Sequence, residues 1–411
     1  MIVKQYIKDF ENMGFGMFVH FGLYSVLGRG EWAKHVFNIG DAEYYALMEQ
    51  FDPKPDWAPE LVKIAKNAGC KYITLTTRHH DGFSLYDTKG LCHLDAMHAK
   101  CGRDLVKEFV DACNDAGIKP FFYHTYLDWY QEDYEKDFPK YLAYLRKSVE
   151  LLCTNYGKIG GIWFDGKWNK MDADWEEDAM YGMIRKNQPE AMIINNTGLS
   201  AGGATGHIEL DSVTFERGKP QPLNMEGAPK YLASEMCEVF NDHWGYARED
   251  LNYKSSARMI EEFADCRSYG ANMLMNVGPM GDGSVRLIDA AMLDVMGNWI
   301  SYHEEAVRDA RPTGILVESE NNNFILKKGN CYYLFCFGLP MISNPDVAKS
   351  RMESESLYVN RFALPEKIKS VTWLDNGTEV EFKQEGDQVA VTTVPFTYGR
   401  SLVVRVVKIE C

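Results

Sequence analysis

The chain has 411 residues, of which 45% are hydrophobic and 25% charged, the composition of a globular protein long enough for one large barrel and a smaller module. Its formal net charge at pH 7 is -15. A surface of that sign repels nucleic acid and anionic membranes. We therefore expect a neutral or cationic small-molecule partner, and neither nucleic acid nor a membrane.

The N-terminal stretch MIVKQYIKDFENMGF is amphipathic and contains no continuous apolar region, so it predicts no secretory signal. No stretch reaches the roughly 18 apolar residues of a membrane span. The ten cysteines are scattered, and none forms a Cys-x-x-Cys pair, which is typical of reduced thiols. We expect a cytoplasmic protein.

Apolar, strand-like runs recur through the first three quarters of the chain, with helical segments between them. Three helical segments, 59–69, 103–117 and 139–157, end in a glycine, which favours a left-handed helix C-terminus. The alternation predicts an α/β fold of the (β/α)8 TIM-barrel type, with a doubly wound sheet as the alternative. The runs are mostly apolar, as expected for strands buried on both faces, and span residues 14–22, 71–80, 119–126, 160–166, 190–198, 211–218, 230–238 and 271–279.

From about residue 315 onwards, apolar and polar residues alternate with period two. Within this region the pair Asn376-Gly377 indicates a β-hairpin turn. We therefore predict a barrel over residues 1–312 and a C-terminal antiparallel β-sandwich domain over residues 313–411. The alternating runs span residues 330–338, 356–362, 370–382, 387–394 and 401–409.

Polar side chains lie at or near the end of every predicted barrel strand. The active site of a TIM barrel forms at the carboxyl ends of its strands, so these side chains are candidate functional residues. Adjacent strand residues point to opposite faces, so we expect one of two neighbouring histidines to face the cavity and the other to brace a strand. The candidates are His20, His79, His80, His124, Asp165, Asn195, Asn196, Glu216, Glu235 and Asn276.

Imidazoles, amides, tryptophans and at least two carboxylates together suit a ligand with many hydroxyl groups. Cleavage of a glycosidic bond needs one acid to protonate the leaving oxygen and a second carboxylate at the sugar carbon. Asp165, at the end of the run GGIWFDG, suits the second role. The alternatives without a catalytic or binding role are a strand-to-turn position for Asp165, a core position for His20 and an exposed loop position for Glu216. Among the tryptophans, Trp32 is the strongest candidate for a residue that lines a pocket, because it follows Glu31 in a loop.

Metal and cofactor chemistry have little support in the sequence. Four histidines on different strands, His20, His79, His80 and His124, have no recognised ligand spacing, and there is no His-Glu-x-x-His helix. A phosphate-binding Gly-x-x-x-x-Gly-Lys loop that continues with Ser or Thr is also absent from the sequence. We predict no metal and no cofactor.

An ordered set of motifs resembles the α-L-fucosidases of glycoside hydrolase family 29 from about residue 10 to residue 312. That family also has a barrel followed by a β-sandwich. The motifs are GFGMFVHFGLYSV, GEW, YITLTTRHHDGFSLYDT, LDWY, GIWFDG, CEVFNDHWGY and NMLMNVGPMGDG.

The resemblance implies a retaining exo-α-L-fucosidase that hydrolyses terminal α-L-fucosyl linkages of oligosaccharides or glycoconjugates through a covalent glycosyl-enzyme intermediate. It implies Asp165 as the nucleophile. For the acid/base residue it favours Glu216, in DSVTFE, with Glu235 as the runner-up and Glu238 near it. Residues that contact the sugar in the family fall on His20, Glu31, Trp32, His79 and His80. We add three substrate-binding candidates: His124, Trp163 and Trp244. Phe18, Trp163 and Trp244 are the candidates for an apolar wall against the fucose methyl group.

Two alternatives stay open at this point. One is a TIM-barrel glycosidase of another specificity, such as an α-galactosidase-like enzyme. The other is a non-catalytic fucose-binding protein. The sequence is also compatible with a homo-oligomer.

Overall fold

Eight parallel strands pair in chain order and close into a barrel in the computed structural model, which describes residues 2–196, 205–223, 225–226, 229–342 and 358–411. Each strand overlaps one of the eight predicted runs, so the predicted TIM barrel is confirmed. The doubly wound alternative fails because the first strand pairs with both the second and the eighth. The strands are β1 Phe15–Val19, β2 Tyr72–Arg78, β3 Lys119–Thr125, β4 Gly161–Asp165, β5 Met192–Asn195, β6 Ser212–Glu216, β7 Ala233–Val239 and β8 Asn272–Val277.

In the described residues, helices occupy the four connections from β1 to β5 and the connection from β7 to β8. The three predicted glycine stops are confirmed, because Gly69, Gly117 and Gly157 all have positive φ just after a helix. In the described ranges the helices are α1 Gln5–Met13, α2 Leu23–Leu27, α3 Ala33–Val36, α4 Asp41–Tyr45, α5 Trp57–Asn67, α6 Leu105–Ala116, α7 Asp133–Lys136, α8 Phe138–Asn155, α9 Glu177–Asn187, α10 Ser256–Ser268 and α11 Leu287–Val307, with 3-10 turns at Ala46–Glu49 and Trp168–Lys170.

The inside of the barrel is filled with side chains rather than open. Rings from neighbouring strands pack there in layers, as Tyr72 does on Phe121 at 5.2 Å between centroids and Tyr123 on Trp163 at 5.7 Å. Gly16 of β1 leaves room for Tyr72, since a Cβ at that position would lie 2.4 Å from the ring carbon Cζ. Above these filled layers a cavity opens at the carboxyl end of the strands.

After the barrel, residues 309–342 and 358–411 form ten further strands. Five of them make one sheet in the order β14-β18-β11-β10-β9, three make another in the order β13-β16-β15, and β12 pairs with β17. Their bounds are β9 Arg311–Pro312, β10 Phe324–Lys328, β11 Cys331–Cys336, β12 Met341–Ile342, β13 Val359–Ala363, β14 Ser370–Trp373, β15 Glu381–Glu385, β16 Gln388–Thr392, β17 Phe396–Thr397 and β18 Arg405–Glu410.

The larger two of these sheets share one hydrophobic core. Leu334 and Val407 come from the five-stranded sheet, and Phe362 and Val391 from the three-stranded sheet. Burial alternates along β13 and β16, as expected for antiparallel strands with one face in a core. The predicted C-terminal β-sandwich is confirmed.

The predicted hairpin turn at Asn376-Gly377 is confirmed, because it joins two short antiparallel segments: Trp373 N donates to the Thr378 carbonyl at 2.8 Å, and Val380 N to the Val371 carbonyl at 2.9 Å. Gly377 N donates to the Trp373 carbonyl at 2.8 Å, and the chain then crosses from β14 in one sheet to β15 in the other. A second, two-residue hairpin lies at Gly386-Asp387, between β15 and β16, where Gly386 has φ +60°.

Two compact units are distinguished by their internal contacts. The first comprises Met1–Lys254 and Asn272–Asp294 and carries the eight barrel strands, and the second comprises Ser255–Ala271 and Val295–Cys411. In the second unit Phe263 of α10 packs on Trp299 of α11 at 5.9 Å. The domain boundary after residue 312 stays a prediction.

Neither a disulfide nor a membrane-length apolar helix occurs in the part of the chain that the structure describes. All ten cysteines are free thiols. None of the described helices combines the length and the apolar character that crossing a bilayer requires.

The close approach of β1 and β2 gives a testable expectation for stability. Gly16→Ala forces a methyl group against the Tyr72 ring in a closed barrel, and overpacking of this kind costs about 1–3 kcal/mol. We expect the midpoint of thermal unfolding, followed by circular dichroism, to fall by several degrees.

Gly182→Ala is the matched control. Gly182 is exposed within α9, and a methyl group added there would have no neighbouring atom within 4 Å, so alanine should leave the midpoint unchanged or raise it. An equal fall in both variants would contradict the overpacking account.

Candidate active site

A cavity of about 240 Å³ opens at the carboxyl end of the barrel strands. Its position is the one in which TIM barrels place their active sites. Most of the residues predicted from the sequence meet there, although they are spread over more than 220 positions of the chain. The lining consists of Phe18, His20, Trp32, His79, His80, Tyr123, Trp163, Asp165, Trp168, Glu216, Cys237 and Trp244.

Asp165 is the last residue of β4, and its conformation is fixed from several sides. Its carbonyl accepts from Tyr126 N at 2.6 Å, and its carboxylate oxygen Oδ2 accepts from the Tyr123 hydroxyl at 2.9 Å. Gly166 follows with φ +92°, where an added Cβ would lie 2.9 Å from the backbone of Leu127. The strand therefore turns away sharply and leaves the carboxylate at the cavity.

Asn196 holds the two carboxylates of the cavity together. Its side-chain nitrogen Nδ2 donates to Asp165 Oδ1 at 3.2 Å and to Glu216 Oε2 at 2.5 Å. Since one nitrogen lies within both distances, these two oxygens are no more than 5.7 Å apart. Retaining glycosidases place their two carboxyl groups about 5–5.5 Å apart, and inverting enzymes about 6.5–9.5 Å apart.

Both carboxyl groups are more basic than usual. Burial and, second, the nearby Glu216 raise the pKa of Asp165 to about 7, against the hydrogen bonds from Tyr123 and Asn196. Burial also raises the pKa of Glu216, against the hydrogen bond from Asn196. Two carboxyl groups so close in a low dielectric cannot both be charged at little cost, so the pair holds one proton near neutral pH.

His20 is held as one neutral tautomer. Asn276 Nδ2 donates to the Trp244 carbonyl at 2.7 Å, so Asn276 Oδ1 is the atom that accepts from His20 Nδ1 at 2.7 Å. Burial lowers the pKa of His20 to about 3. The other ring nitrogen, Nε2, is therefore left as an acceptor for a ligand hydroxyl.

His79 and His80 both line the cavity, so the expectation that they face opposite sides is wrong. The reason is that β2 ends at Arg78, after a register shift between Thr76 and Arg78, and strand alternation no longer applies to the two histidines. Rings of both residues therefore turn to the same side and lie 4.1 Å apart.

The two rings present acceptor or unpartnered nitrogens to a ligand. The Thr125 hydroxyl donates to the Leu127 carbonyl, so it accepts from His80 Nδ1 at 2.7 Å, which leaves His80 Nε2, 3.7 Å from Asp165 Oδ2, as an acceptor. His79 Nδ1 is buried and has no hydrogen-bond partner among the described residues. Burial lowers the pKa of both rings, to about 3 for His80 and well below the usual value for His79.

An apolar wall faces these polar groups. Phe18 packs edge-on against Trp163 at 5.1 Å and against Trp244 at 5.9 Å. The Trp163 ring is fixed because its Nε1 donates to Glu235 Oε1 at 3.0 Å. One half of the cavity thus offers hydrogen bonds, and the other half excludes water.

Glu31 and Glu235 lie behind the cavity rather than on its surface. Glu31 Oε2 accepts from Gly245 N at 2.7 Å, and this bond holds the turn that carries Trp244. Glu235 points into the packed barrel interior, where it accepts from Trp163 and from the Tyr72 hydroxyl. Burial raises the pKa of Glu235 to about 7. Neither carboxyl is among the residues that line the cavity.

His124 is also absent from the cavity lining. It lies inside β3 and points outward, where its Nε2 is 2.9 Å from Ser148 Oγ on α8. The side chains of its neighbours Tyr123 and Thr125 point towards the inside of the barrel. Glu238 likewise points out of the barrel and pairs with Lys254 at 2.5 Å.

Three lining residues were missed by the sequence argument: Tyr123, Trp168 and Cys237. Tyr123 pairs in register with Trp163, which lies two residues before Asp165 on the same face of β4. The inward direction of Asp165 is therefore the signal that could have identified Tyr123 as a lining residue. Cys237 pairs with Glu216 in the same way. Trp168 lies on a 3-10 turn, for which strand parity gives no signal.

No group of three or more His, Cys, Asp or Glu side chains is arranged to hold a metal ion within the described ranges. The cavity instead combines paired carboxylates with neutral imidazoles and aromatic rings on a TIM barrel. These features define the class of carbohydrate-active TIM-barrel proteins.

Comparison with known proteins narrows this class. The family model for α-L-fucosidase matches residues 3–305, so the chain belongs to the α-L-fucosidase family, and the resemblance to glycoside hydrolase family 29 is confirmed. The tissue α-L-fucosidase of Bos taurus is 28% identical over 359 residues, which cover 80% of this chain and 75% of that protein.

Two solved structures agree with the fold. α-L-Fucosidase isoenzyme 1 from Paenibacillus thiaminolyticus has a TM-score of 0.80 and 27% identity, with 99% of this chain and 98% of that chain covered. A family 29 α-L-fucosidase from Bacteroides thetaiotaomicron, solved as a trapped covalent intermediate with 2-fluoro-fucosyl fluoride, has a TM-score of 0.82 and 24% identity, with 99% and 96% covered. The second comparison supports the barrel and sandwich alone.

The shared proton of the carboxyl pair can be tested directly. Glu216→Gln removes the like charge that helps to raise the pKa of Asp165, so we expect that pKa to fall below about 7. Carbon-13 NMR titration of labelled aspartate carboxyls would measure it. Glu235→Gln is the control, because Glu235 acts on Trp163 and Tyr72, and its replacement should leave the Asp165 titration in place. A shift of equal size in both variants would refute the coupling.

Proposed function

We propose that the protein is a retaining exo-α-L-fucosidase in which Asp165 is the nucleophile and Glu216 the acid/base residue. The observation that carries this proposal is the pair of carboxylates bridged by a single amide, that of Asn196, with the two bridged oxygens no more than 5.7 Å apart. That spacing leaves room for a sugar carbon but not for an additional attacking water, and so favours double displacement.

In the first step Asp165 attacks the anomeric carbon of an α-L-fucoside and forms a bond to it as the bond to the aglycone oxygen breaks. Glu216 gives its proton to that oxygen. Asp165 receives hydrogen bonds from Tyr123 and Asn196, whereas Glu216 receives one from Asn196. The extra donor stabilises negative charge on Asp165, and the proposed step requires the ionised form of Asp165 and the protonated form of Glu216.

In the second step water attacks the same carbon, gives its proton to Glu216 and releases Asp165 as a carboxylate. The ester has no charge, so the pKa of Glu216 falls during the intermediate, which turns this residue from an acid into a base. The trapped covalent intermediate of the Bacteroides protein is of this chemical type.

The remaining groups suit fucose in size and polarity. His20, His79 and His80 are neutral rings that accept or exchange hydrogen bonds with hydroxyl groups. Phe18 and Trp163 form an apolar surface suited to the methyl group that distinguishes fucose from galactose. A cavity of about 240 Å³ is smaller than the roughly 300–1,000 Å³ of drug-sized ligand pockets, which favours a single terminal sugar.

Removal of the nucleophile should abolish turnover. We expect Asp165→Ala to lower kcat on an aryl α-L-fucoside by about three orders of magnitude or more, because no covalent intermediate can form. Activity of the wild type is measured in parallel on an aryl α-D-galactoside and with a chelator. Equal or better turnover of the galactoside would overturn the specificity, and retained activity in the variant would overturn the nucleophile.

Removal of the acid should depend on the leaving group. Glu216→Gln should lower kcat/KM by about 10²–10⁴ fold for an alkyl or sugar aglycone, and far less for a nitrophenyl aglycone that leaves without a proton. Glu235→Gln should show no such dependence, since its carboxyl lies in the barrel interior. If the leaving-group dependence is found in Glu235→Gln instead, the assignment of the acid is wrong.

We also propose a cytoplasmic location and the absence of nucleic-acid partners. Ten free thiols support a reducing compartment, and the net charge of -15 disfavours nucleic acid. Fractionation of the source cells, with periplasmic and cytosolic markers, would test the location.

A further inference from the structure

A second cavity of about 550 Å³ lies beside the first and has no part in the mechanism above. Its size falls within the roughly 300–1,000 Å³ of ligand pockets. His35, at the end of α3, and Trp129, in the loop after β3, line it. Its other lining side chains are polar or charged, apart from a few apolar contacts.

Four aromatic rings connect the two cavities, and we refer to Trp32, His35, Trp129 and Trp168 as the aromatic rim. Trp32 and Trp168 line the first cavity and are nearly parallel, at 6.4 Å and 28°. Trp32 touches both Trp129, at 5.2 Å, and His35, at 5.6 Å. The His35 and Trp129 rings stack at 5.3 Å and 19°. The rim therefore runs without a break from the fucose cavity into the second one.

Rings of this kind are costly to leave in water, and none of the four is fully buried. Aromatic faces pack well against the C–H faces of sugar rings, which are apolar. Side-chain amides of Asn38, Gln131 and Asn169 also line the second cavity, and each offers both a donor and an acceptor, as sugar hydroxyls require.

The charges of the second cavity are compensated. Lys34 pairs with Asp41 at 2.8 Å and Lys136 with Glu132 at 2.5 Å. The two remaining acids of the lining also have partners: Glu135 pairs with Lys170 at 2.9 Å, and Asp128 with Arg78 at 3.4 Å. Both lysines of this lining are thus engaged rather than available to a sulfate or carboxylate, so the cavity suits a neutral ligand.

We propose that the aromatic rim binds the sugars to which the fucose is attached, so that the substrate is a neutral fucosylated oligosaccharide with at least two sugar rings beyond the fucose. The first ring lies against Trp32 and Trp168, and the second against His35 and Trp129. This inference rests on the proposed function, and it adds the residues that bind the aglycone and the size and charge of that aglycone.

The test compares two substrates. One is a neutral trisaccharide with a terminal α-L-fucose, and the other is α-L-fucosyl fluoride, whose leaving group has no ring. The measured quantity is the ratio of kcat/KM for the trisaccharide to kcat/KM for the fluoride. We expect His35→Ala to lower this ratio about tenfold, mostly through KM of the trisaccharide, and His35→Phe to restore most of it because the stacking ring returns.

Phe37→Ala is the matched control. Phe37 is an exposed ring two residues after His35, but it lines a different cavity, together with Arg29 and Arg248. Its replacement should leave the ratio unchanged. A trisaccharide with an added sialic acid should be a poorer substrate for the wild type, because both lysines of the second cavity are already paired.

The outcomes separate the two proposals. A fall of the ratio in His35→Ala, with rescue in His35→Phe and no effect of Phe37→Ala, supports the rim. A fall in Phe37→Ala alone places the aglycone in the other cavity and overturns the inference, as does an unchanged ratio in all variants. A folded wild type that cleaves neither substrate would overturn the proposed fucosidase activity itself.

Discussion

The pairing of β1 with β8 closes the barrel, and the candidate site depends on this closure. It brings Phe18 into register with Asn276, and the His20 N–H continues the ladder to the Val277 carbonyl at 3.1 Å. Asn276 then fixes the tautomer of His20 and holds the carbonyl of Trp244. One backbone interaction, between residues more than 250 positions apart, thus sets the positions of groups from three strands.

Burial is the second constraint, and it acts differently on the two kinds of ionisable group. It keeps the histidines of the cavity neutral, so that they can exchange hydrogen bonds with hydroxyl groups. It raises the pKa of both carboxyls, so that one proton remains between Asp165 and Glu216. The same low dielectric therefore supplies a sugar-binding surface and an acid next to a base.

The aromatic residues near the site form two groups with different structural roles. Phe18, Tyr123 and Trp163 pack in the barrel interior, where they fill space and support the carboxylates. The aromatic rim lies in loops after the strands, so it is free to differ without a change in the barrel. A rigid interior with variable loops is the arrangement by which this fold supports many specificities.

The sequence by itself determined the eight strands, the sandwich, the family and the position of Asp165 at the end of a strand. Long apolar runs, period-two alternation and the ordered motifs are local signals. It did not determine which side of a strand each residue faces. Strands buried on both faces lack the polar alternation that reveals parity, so His124 and Glu235 looked like cavity residues. The register between neighbouring strands decides that His124 points outward and that Glu235 lies in the packed interior. Both His79 and His80 face the cavity because β2 ends at Arg78, before them.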